Sequence, residues 1–311
     1  MTAILTLTMN PALDIIYRLD ELYPHQVNKV RDKWEHPGGK GINVSKALAA
    51  LGQESLCWTL LGGTAGDHFL DLLRPQPFAV RSVRIDGPTR QNIKLKVGSN
   101  HYEINEPGPR ITPAEIRRFE DKLFPDFAAA KVLVLAGSLP LGVPDSYYAR
   151  LIEIGADMGL KVVLDTSGPP LRRGLAAGPL LVKPNRAELE ELLGLRLAET
   201  EAVISAARRV VAMGAKNVLV SLGAQGAVLV NARGAWESQA PRVKLVSPLG
   251  AGDSMVASCA ASLAAAEYTD SHMLQIATAA GTAAVEQPGS RGPEWKRIKE
   301  LVSEVVIKRW N

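Results

Sequence analysis

The sequence predicts an α/β fold with a mostly parallel β-sheet covered by helices. Short apolar segments alternate with amphipathic helical segments along the 311 residues, which is the pattern of parallel strands joined by helical crossovers. The predicted strands are apolar at consecutive positions, as expected when both faces of a strand are buried. The length and the ordinary composition, 46% hydrophobic and 22% charged, favour one large domain over residues 1–311 with a small appendage.

The individual elements follow from hydrophobic periodicity and from turn residues. The predicted strands are residues 3–9, 56–61, 131–135, 161–164, 180–182 and 217–220. The predicted helices are residues 41–51, 67–73, 145–154, 186–193, 201–213, 250–264 and 271–286. A last helix, opened by Pro293, is predicted from apolar residues at helical spacing, namely Trp295, Ile298, Leu301, Val302, Val305 and Val306.

Two segments, at about residues 14–35 and 88–105, interrupt this alternation. Residues 93–97 read IKLKV, so this strand has one apolar and one polar face. We expect the two segments to form a small antiparallel sheet that projects from the main body. Such a sheet would serve as a lid over a site, as a dimer surface, or as both.

Charge and composition exclude several classes of function. Lys and Arg number 36 against 32 Asp and Glu, a net charge of +4 without any basic block; this suits anionic small molecules better than nucleic acid. No apolar run approaches the ~20 residues needed to span a bilayer, and no leader precedes the first strand, so we expect a cytoplasmic protein. The two cysteines, Cys57 and Cys259, lie in apolar segments and are expected in the core. The five histidines show no zinc-ligand spacing.

The sharpest local motif is LGAGDS at residues 249–254. Gly250, Ala251 and Gly252 let the backbone approach a ligand closely, and the helix that follows presents free N–H groups to an anion. Asp253 lies in the first turn, where the helix dipole favours its ionised form. Such a carboxylate can accept a proton from an attacking hydroxyl in phosphoryl transfer. Taken alone, the motif is equally typical of an ordinary helix start after a glycine turn.

Other candidate residues follow predicted strands. Residues 36–43, HPGGKGIN, lack the Walker spacing, and Gly39, Lys40 and Asn43 suit a polyhydroxylated ligand. Asp14 follows the first strand, where a carboxylate can accept hydrogen bonds from sugar hydroxyls. Arg90 could clamp a phosphate through two hydrogen bonds, or be an ordinary exposed strand residue.

Two further motifs indicate a nucleotide. Asn185 can cap the helix in which Glu188 occupies the first turn, or the pair can orient water around Mg²⁺. The local sequence favours neither reading. The motif SLGAQGA at residues 221–227 links two strands, and its glycines allow the backbone to approach a nucleotide.

Together these motifs resemble the ribokinase-type carbohydrate kinases, also called the phosphofructokinase B family. The matching stretches occur in family order over nearly the whole chain: residues 6–14 (TLTMNPALD), 27–29 (VNK), 38–44 (GGKGINV), 89–92 (TRQN), 137–140 (GSLP), 165–168 (DTSG), 183–188 (KPNRAE), 221–227 (SLGAQGA) and 250–254 (GAGDS). The chain is most similar to the hexose-phosphate branch, which includes 1-phosphofructokinases, minor 6-phosphofructokinases and tagatose-6-phosphate kinases. Lys40 and the TRQNIKL stretch look most like the 1-phosphofructokinases.

The resemblance implies a three-layer α/β/α sandwich with a β lid, and a homodimer formed through that lid. It also implies a role for each site residue. Asp253 would be the base, with the amides of Gly250, Ala251 and Gly252 as the anion hole. The implied sugar ligands are Asp14, Gly39, Lys40 and Asn43, and the substrate phosphate would meet Arg90 and Ser138. The implied nucleotide ligands are Lys183, Asn185, Glu188, Ser221, Gly223 and Gly226, with Glu188 holding Mg²⁺ through water.

The implied reaction is ATP plus fructose 1-phosphate giving fructose 1,6-bisphosphate and ADP. Alternatives are 6-phosphofructokinase, tagatose-6-phosphate kinase and, more remotely, a non-catalytic sugar-phosphate-binding protein. A K⁺ ion held by the carbonyls of Ser247 and Leu249 is a further implication. Pro248 departs from the family's usual Thr and supplies neither a hydroxyl nor an N–H at that position.

Overall fold

The computed structural model describes residues 3–98, 100–265, 267–289 and 292–310. Its main feature is a sheet of ten strands in the order β14-β13-β12-β11-β10-β9-β8-β1-β4-β5. These strands are β1 (Ile4–Thr8), β4 (Ser55–Leu61), β5 (Ala79–Arg84), β8 (Val132–Ala136), β9 (Lys161–Asp165), β10 (Leu181–Val182), β11 (Asn217–Ser221), β12 (Ala227–Asn231), β13 (Gly234–Gln239) and β14 (Val306–Trp310).

In the order of this sheet, the seven strands from β5 at one edge to β11 are parallel to one another. The remaining strands, β12, β13 and β14, pair antiparallel. The helices are α1 (Lys40–Ala50), α2 (Gly63–Leu73), α3 (Pro113–Phe127), α4 (Tyr147–Asp157), α5 (Gly168–Ala176), α6 (Arg186–Leu193), α7 (Thr200–Ala212), α8 (Ala251–Ala264), α9 (Asp270–Val285) and α10 (Trp295–Val302).

Strand β8 shows why the fold has three layers. Its residues alternate between two hydrophobic clusters: Leu133 and Leu135 pack with α3, α4 and α5, whereas Val132 and Val134 pack with α1, α8 and α9. Successive side chains of a strand point to opposite faces, so an apolar strand buries both faces under helices. Each such side chain contributes about 1.5–3 kcal/mol on full burial. The predicted α/β/α sandwich is therefore confirmed, and Cys57 and Cys259 are buried free thiols.

The lid is a separate four-stranded sheet in the order β3-β2-β6-β7. Its strands are β2 (Ala12–Leu19), β3 (Asp32–Gly38), β6 (Arg90–Val97) and β7 (Asn100–Asn105). The outer pairs are antiparallel as predicted, but the central pair, β2 with β6, is parallel. One face of β2 packs Leu13 and Ile15 against Phe69 and Leu73 of α2, so the opposite face, with Asp14, is turned away from α2.

The C-terminal prediction is wrong in part. Helix α10 ends at Val302, and Val305 lies in the turn before β14, which starts at Val306. The helix begins at Trp295, two residues after Pro293. The apolar spacing fits a helix, but Val306–Trp310 pairs instead with β13 at the edge of the sheet.

Other predicted elements have shifted ends. Helix α2 starts four residues earlier than predicted, at Gly63, and α4 starts two residues later, at Tyr147. Strand β5 and helices α3 and α5 lie outside the predicted elements. Within the described ranges, no helix combines the length and the apolar character that crossing a membrane requires.

Candidate active site

The candidate site lies where strands β1, β9 and β10 end and helices α1 and α8 begin. In a parallel sheet these carboxyl ends meet at one edge. Helix α8 starts after Gly250, which has a left-handed backbone with φ 82°; glycine adopts this conformation without the steric cost that a side chain would bring. The first turn therefore presents unpaired N–H groups beside Asp253, which is only 9% exposed.

Asp253 contacts a residue that is 210 positions away in the sequence. The Asn43 side chain, on α1, donates a hydrogen bond from Nδ2 to Asp253 Oδ2 over 2.9 Å. Burial and the charge of Asp165 raise the pKa of Asp253 to about 6, against the lowering effects of Asn43, Lys40 and Lys183. Burial therefore opposes the helix dipole, which by itself favours the ionised carboxylate.

Asp165, at the end of β9, is the centre of a buried charge cluster. Its Oδ1 lies 3.1 Å from Lys40 Nζ and 3.6 Å from Lys183 Nζ. Burial alone would raise the pKa of Asp165, but Lys183 and Lys40 outweigh that effect and lower it. Its Oδ2 is buried without a hydrogen-bond partner in the described structure.

Lys40, the first residue of α1, lies close to two acidic side chains. Its ammonium group contacts Asp165 and lies 3.8 Å from Glu188 Oε1, so it faces the residues predicted for the nucleotide. Burial would lower the pKa of Lys40, but the charges of Asp165, Glu188 and Asp253 raise it above its ordinary value. These contacts do not test the prediction that Lys40 holds a sugar hydroxyl, which stays a prediction.

Asn185 and Glu188 form a capping box at the start of α6. Asn185 Oδ1 accepts from the Glu188 N–H over 2.8 Å, and Glu188 Oε2 accepts from the Asn185 N–H over 2.9 Å. The structural reading of this motif is therefore observed, since each side chain satisfies a free N–H of the helix. Glu188 Oε1 remains directed toward Lys40.

The SLGAQGA segment lies beside the capping box. Ser221 forms a bridge with Asn185 and donates its N–H to the Pro184 carbonyl over 3.1 Å. Gly223 begins a single 3-10 turn. At Gly226, a side-chain Cβ would lie 2.0 Å from the Ser238 carbonyl oxygen, so only glycine fits there. The predicted nucleotide residues are thus brought together at the ends of β10 and β11.

The lid contributes a second group of polar side chains. Asp14 accepts hydrogen bonds from Asn92 Nδ2 over 3.1 Å and from Lys94 Nζ over 3.0 Å. The backbone of Gly38 packs against the Asp14 carboxylate, and Gly39 is the N-cap residue of α1. Asp14 and Gly39 are therefore close to the start of the helix that carries Asn43.

Arg90 and Ser138 meet at Asn10. Arg90 donates to the carbonyls of Asn10 and Glu106, each over 3.0 Å, and Asn10 Nδ2 donates to Ser138 Oγ over 3.3 Å. Burial lowers the pKa of Arg90, opposed by the charges of Asp14 and Glu106. The Arg90 Nε–H is buried and without a partner in the described structure, so one donor is available to a ligand.

The segment before α8 is fixed by backbone contacts. The N–H groups of Val246 and Ser247 donate to the Val285 carbonyl over 2.8 and 3.1 Å, and Leu249 N–H donates to Ser247 Oγ over 3.2 Å. Among the described residues, no group of three or more His, Cys, Asp or Glu side chains has metal-binding geometry.

The sequence motifs gave no role to Asp165, Asn10 or Lys94. Asp165 is the first residue of the DTSG stretch and directly follows a predicted strand. Its position at the end of that strand is the feature of the sequence that could have identified it as a site residue. Several buried polar atoms around the site have no partner in the described part of the chain: Asn10 Oδ1, Asn43 Oδ1, Asn92 Oδ1 and Asp165 Oδ2. Buried polar atoms are normally hydrogen-bonded, so this set fits a ligand rich in hydroxyl groups.

Comparisons with known proteins identify the family of this chain. The model of the pfkB family carbohydrate kinases matches residues 7–297. A 1-phosphofructokinase of Bacillus subtilis (strain 168) is 31% identical over 307 residues, with 98% of this chain and 99% of the relative covered.

Solved structures are similar over the same length. Phosphofructokinase-2 from Escherichia coli in complex with fructose-6-phosphate is 34% identical, with a TM-score of 0.89 and coverage of 98% of this chain and 99% of that one. The same enzyme in complex with potassium is 33% identical, with a TM-score of 0.91 and the same coverage. A ribokinase from Arabidopsis thaliana, 22% identical with a TM-score of 0.80 over 97% of this chain and 99% of that one, shares the fold.

Proposed function

The chain belongs to the pfkB family of carbohydrate kinases, and from this premise we propose that it converts ATP and fructose 1-phosphate to ADP and fructose 1,6-bisphosphate. The observation that carries the proposal is the buried carboxylate of Asp253 at the glycine-opened start of α8. It lies within hydrogen-bond reach of Asn43 and among the charges of Asp165, Lys40 and Lys183.

In the proposed reaction Asp253 accepts the proton of the C6 hydroxyl as the sugar oxygen attacks the γ-phosphorus. The bond from oxygen to phosphorus forms, the bond from the γ-phosphorus to the bridging oxygen breaks, and ADP leaves. The N–H groups of residues 250–252 stabilise the charge on the transferred group. Lys183, 5% exposed and in contact with Asp165, neutralises negative charge from the donor's phosphates.

The acceptor is proposed to bind between the lid and α1. The Asp14 carboxylate accepts hydrogen bonds from hydroxyl groups of the acceptor, and the Asn43 amide forms hydrogen bonds with them. Arg90 and Ser138 bind the phosphate that the acceptor already carries. The free Nε–H of Arg90 and the unpartnered oxygens of Asn10 and Asn92 support this position, because a bound sugar phosphate would pair them.

A magnesium ion would be held through water beside Glu188, whose second oxygen is not used by the capping box. Bound there, it would neutralise the charge of the ATP phosphates and hold them in a fixed arrangement. A K⁺ site formed by the carbonyls of Ser247 and Leu249 is also proposed, since the Escherichia coli relative was solved in complex with potassium. Proline at 248 leaves both carbonyls in place.

We also propose a cytoplasmic homodimer that forms through the lid. Large apolar side chains are exposed on this sheet and its connecting loop: Val27 at 91%, Ile104 at 57%, Tyr23 at 49% and Tyr102 at 47%. These exposed apolar side chains support the proposal, because apolar surface left open to solvent on a folded domain is often covered by a partner.

An ADP-release assay over a small acceptor panel tests the proposed reaction. The panel contains fructose 1-phosphate, fructose 6-phosphate, tagatose 6-phosphate and a nucleoside, with the Asp253→Asn variant as the blank. We expect the highest kcat/KM with fructose 1-phosphate. A higher value with another acceptor would reassign the substrate, and binding without ADP release would indicate a non-catalytic protein.

A further inference from the structure

The lid and α1 line a cavity of about 790 Å³. Trp34, His36 and Lys96 of the lid line it together with Lys46 of α1 and Gly289 beyond α9. None of the residues proposed for the reaction lines this cavity. Its volume lies within the range of about 300–1,000 Å³ that is typical of small-molecule sites.

Lys46 differs from the other lysines near the site. Lys40, Lys94 and Lys183 each contact a carboxylate, whereas Lys46 Nζ donates to the Pro37 carbonyl over 2.7 Å. Within the described ranges, no Asp or Glu forms an ion pair with Lys46. Burial lowers the pKa of Lys46 to about 8, although the charges of Asp14 and Asp253 act in the opposite direction from farther away.

A desolvated ammonium group without a counter-charge is unfavourable, and proteins normally pair such groups. An anion bound in the cavity would supply the missing charge. Lys96 is an exposed second cation on the same cavity wall, and it too has no ion pair in the part of the chain that the structure describes. Two ammonium groups suit the several oxygens of a phosphate, and the indole of Trp34, 41% exposed, offers an apolar surface to the rest of a small molecule.

We propose that this cavity is a second anion site, which binds the phosphoryl group of a small molecule other than the acceptor held at Asp253. The site would be separate from the phosphate position at Arg90. Arg90 lies at the opposite end of strand β6 from Lys96, and their Cα atoms are about 20 Å apart at the ordinary rise of a strand. The proposal does not depend on which sugar the enzyme phosphorylates.

The probe for this site is inorganic pyrophosphate, followed by tryptophan fluorescence. A titration of the wild-type protein minus the same titration of Trp34→Phe isolates the signal of Trp34 from pyrophosphate bound at the nucleotide site. We expect a saturable Trp34 signal whose dissociation constant rises about tenfold in Lys46→Met. Lys122→Met, which removes an exposed charge on α3, should leave the constant unchanged.

Lys96→Met is the second variant, because Lys96 is exposed and takes no part in the core. It should weaken pyrophosphate binding severalfold. Absence of a Trp34-dependent signal, or equal constants in the wild type, Lys46→Met and Lys96→Met, would overturn the proposal. Displacement of pyrophosphate by fructose 1-phosphate in this signal would also overturn it, because the two would then share one site. Since the assay needs no turnover, its failure would leave the proposed kinase reaction standing.

Discussion

The charged groups of the main body and those of the lid are organised differently. In the body, Asp165, Lys183, Lys40 and Asp253 come from four separate parts of the chain and form one cluster, in which all but Lys40 are buried. In the lid, Asp14 pairs with Lys94 inside the same small sheet. Charges interact more strongly where water is excluded, so the buried members of the body cluster depend on one another. The Asp14–Lys94 pair, by contrast, lies within the lid and does not depend on the body cluster.

The largest expected effect is that of Asp253→Asn, which removes the proposed base while it keeps the shape of the side chain. We expect kcat to fall by about 10²–10⁴-fold, the usual contribution of general-base catalysis. Steady-state ADP release measures this effect. Asp157→Asn, an exposed carboxylate at the end of α4, is the matched control, and equal turnover in both variants would remove Asp253 from the mechanism.

Asp165→Asn tests whether the body cluster acts as one unit. The change removes the ion-pair partner of the buried Lys183, and breaking a buried pair from one side typically costs about 3 kcal/mol of unfolding free energy. Lys40 is 36% exposed and should contribute little to that loss. Urea unfolding measures the stability, and an unchanged midpoint would show that the cluster does not stabilise the fold.

Arg90→Ala tests the selective role of the lid. We expect KM for fructose 1-phosphate to rise about tenfold with a smaller change in kcat, since a phosphate contact is made before and during the reaction. Arg90→Lys keeps the charge, and its KM should lie between those of the wild type and Arg90→Ala. Arg117 is exposed on α3, so Arg117→Ala should have the KM of the wild type. An unchanged KM in Arg90→Ala would place the acceptor phosphate elsewhere.

A pH profile of Asn43→Ala examines the link between α1 and the base. The hydrogen bond from Asn43 stabilises the ionised form of Asp253, so its loss should raise the pKa above about 6. The acid limb of kcat/KM should therefore move to higher pH by about one unit, because a hydrogen bond to a charged group contributes about 1.5–3 kcal/mol. Ser138→Ala is the control, because Ser138 makes no hydrogen bond to Asp253, and its acid limb should stay near that of the wild type. If the wild type, Asn43→Ala and Ser138→Ala all have the same acid limb, the link between Asn43 and Asp253 is contradicted.

The smallest effect on turnover is expected at the far side of the lid. Ile104→Asp places a charge in the exposed apolar patch and should shift the protein toward monomer in sedimentation velocity. Glu103→Asp, its exposed neighbour on β7, should leave the mass unchanged. If Ile104→Asp has the same mass as the wild type, the proposed interface is not on this strand.

Much of the main body could be predicted from the sequence because its signals are local. Strands such as β8, with five consecutive buried residues, differ clearly from their surroundings. The family and the sugar-kinase activity, which the order of the motifs indicated, are confirmed by a relative matched over 98% of the chain. Strand β5, AVRSVR, is half exposed at the sheet edge, and so lacks the continuous apolar run that identified the inner strands.

The site was less predictable because its charges are set by distant residues. Lys40 and Asp165 are 125 positions apart, and nothing in the GGKG motif shows that its lysine turns toward β9. The same is true of Asp253: its local surroundings favour an ordinary ionised carboxylate, whereas burial and Asp165 raise its pKa. The motifs named residues that the fold brings to the ends of the main-sheet strands and to the lid, but the contacts of these residues depend on the tertiary structure.

The final strand, β14, covers a backbone edge of the main sheet that would otherwise be open to solvent. Val306–Trp310 covers the outer backbone edge of Gly234–Gln239 through five register pairs. Cutting the chain after Val305 would leave that edge with free amide and carbonyl groups, and such an edge is a template for another molecule to add a strand. Shortened versions should therefore form intermolecular sheets and precipitate, even though every residue of the catalytic centre would still be present.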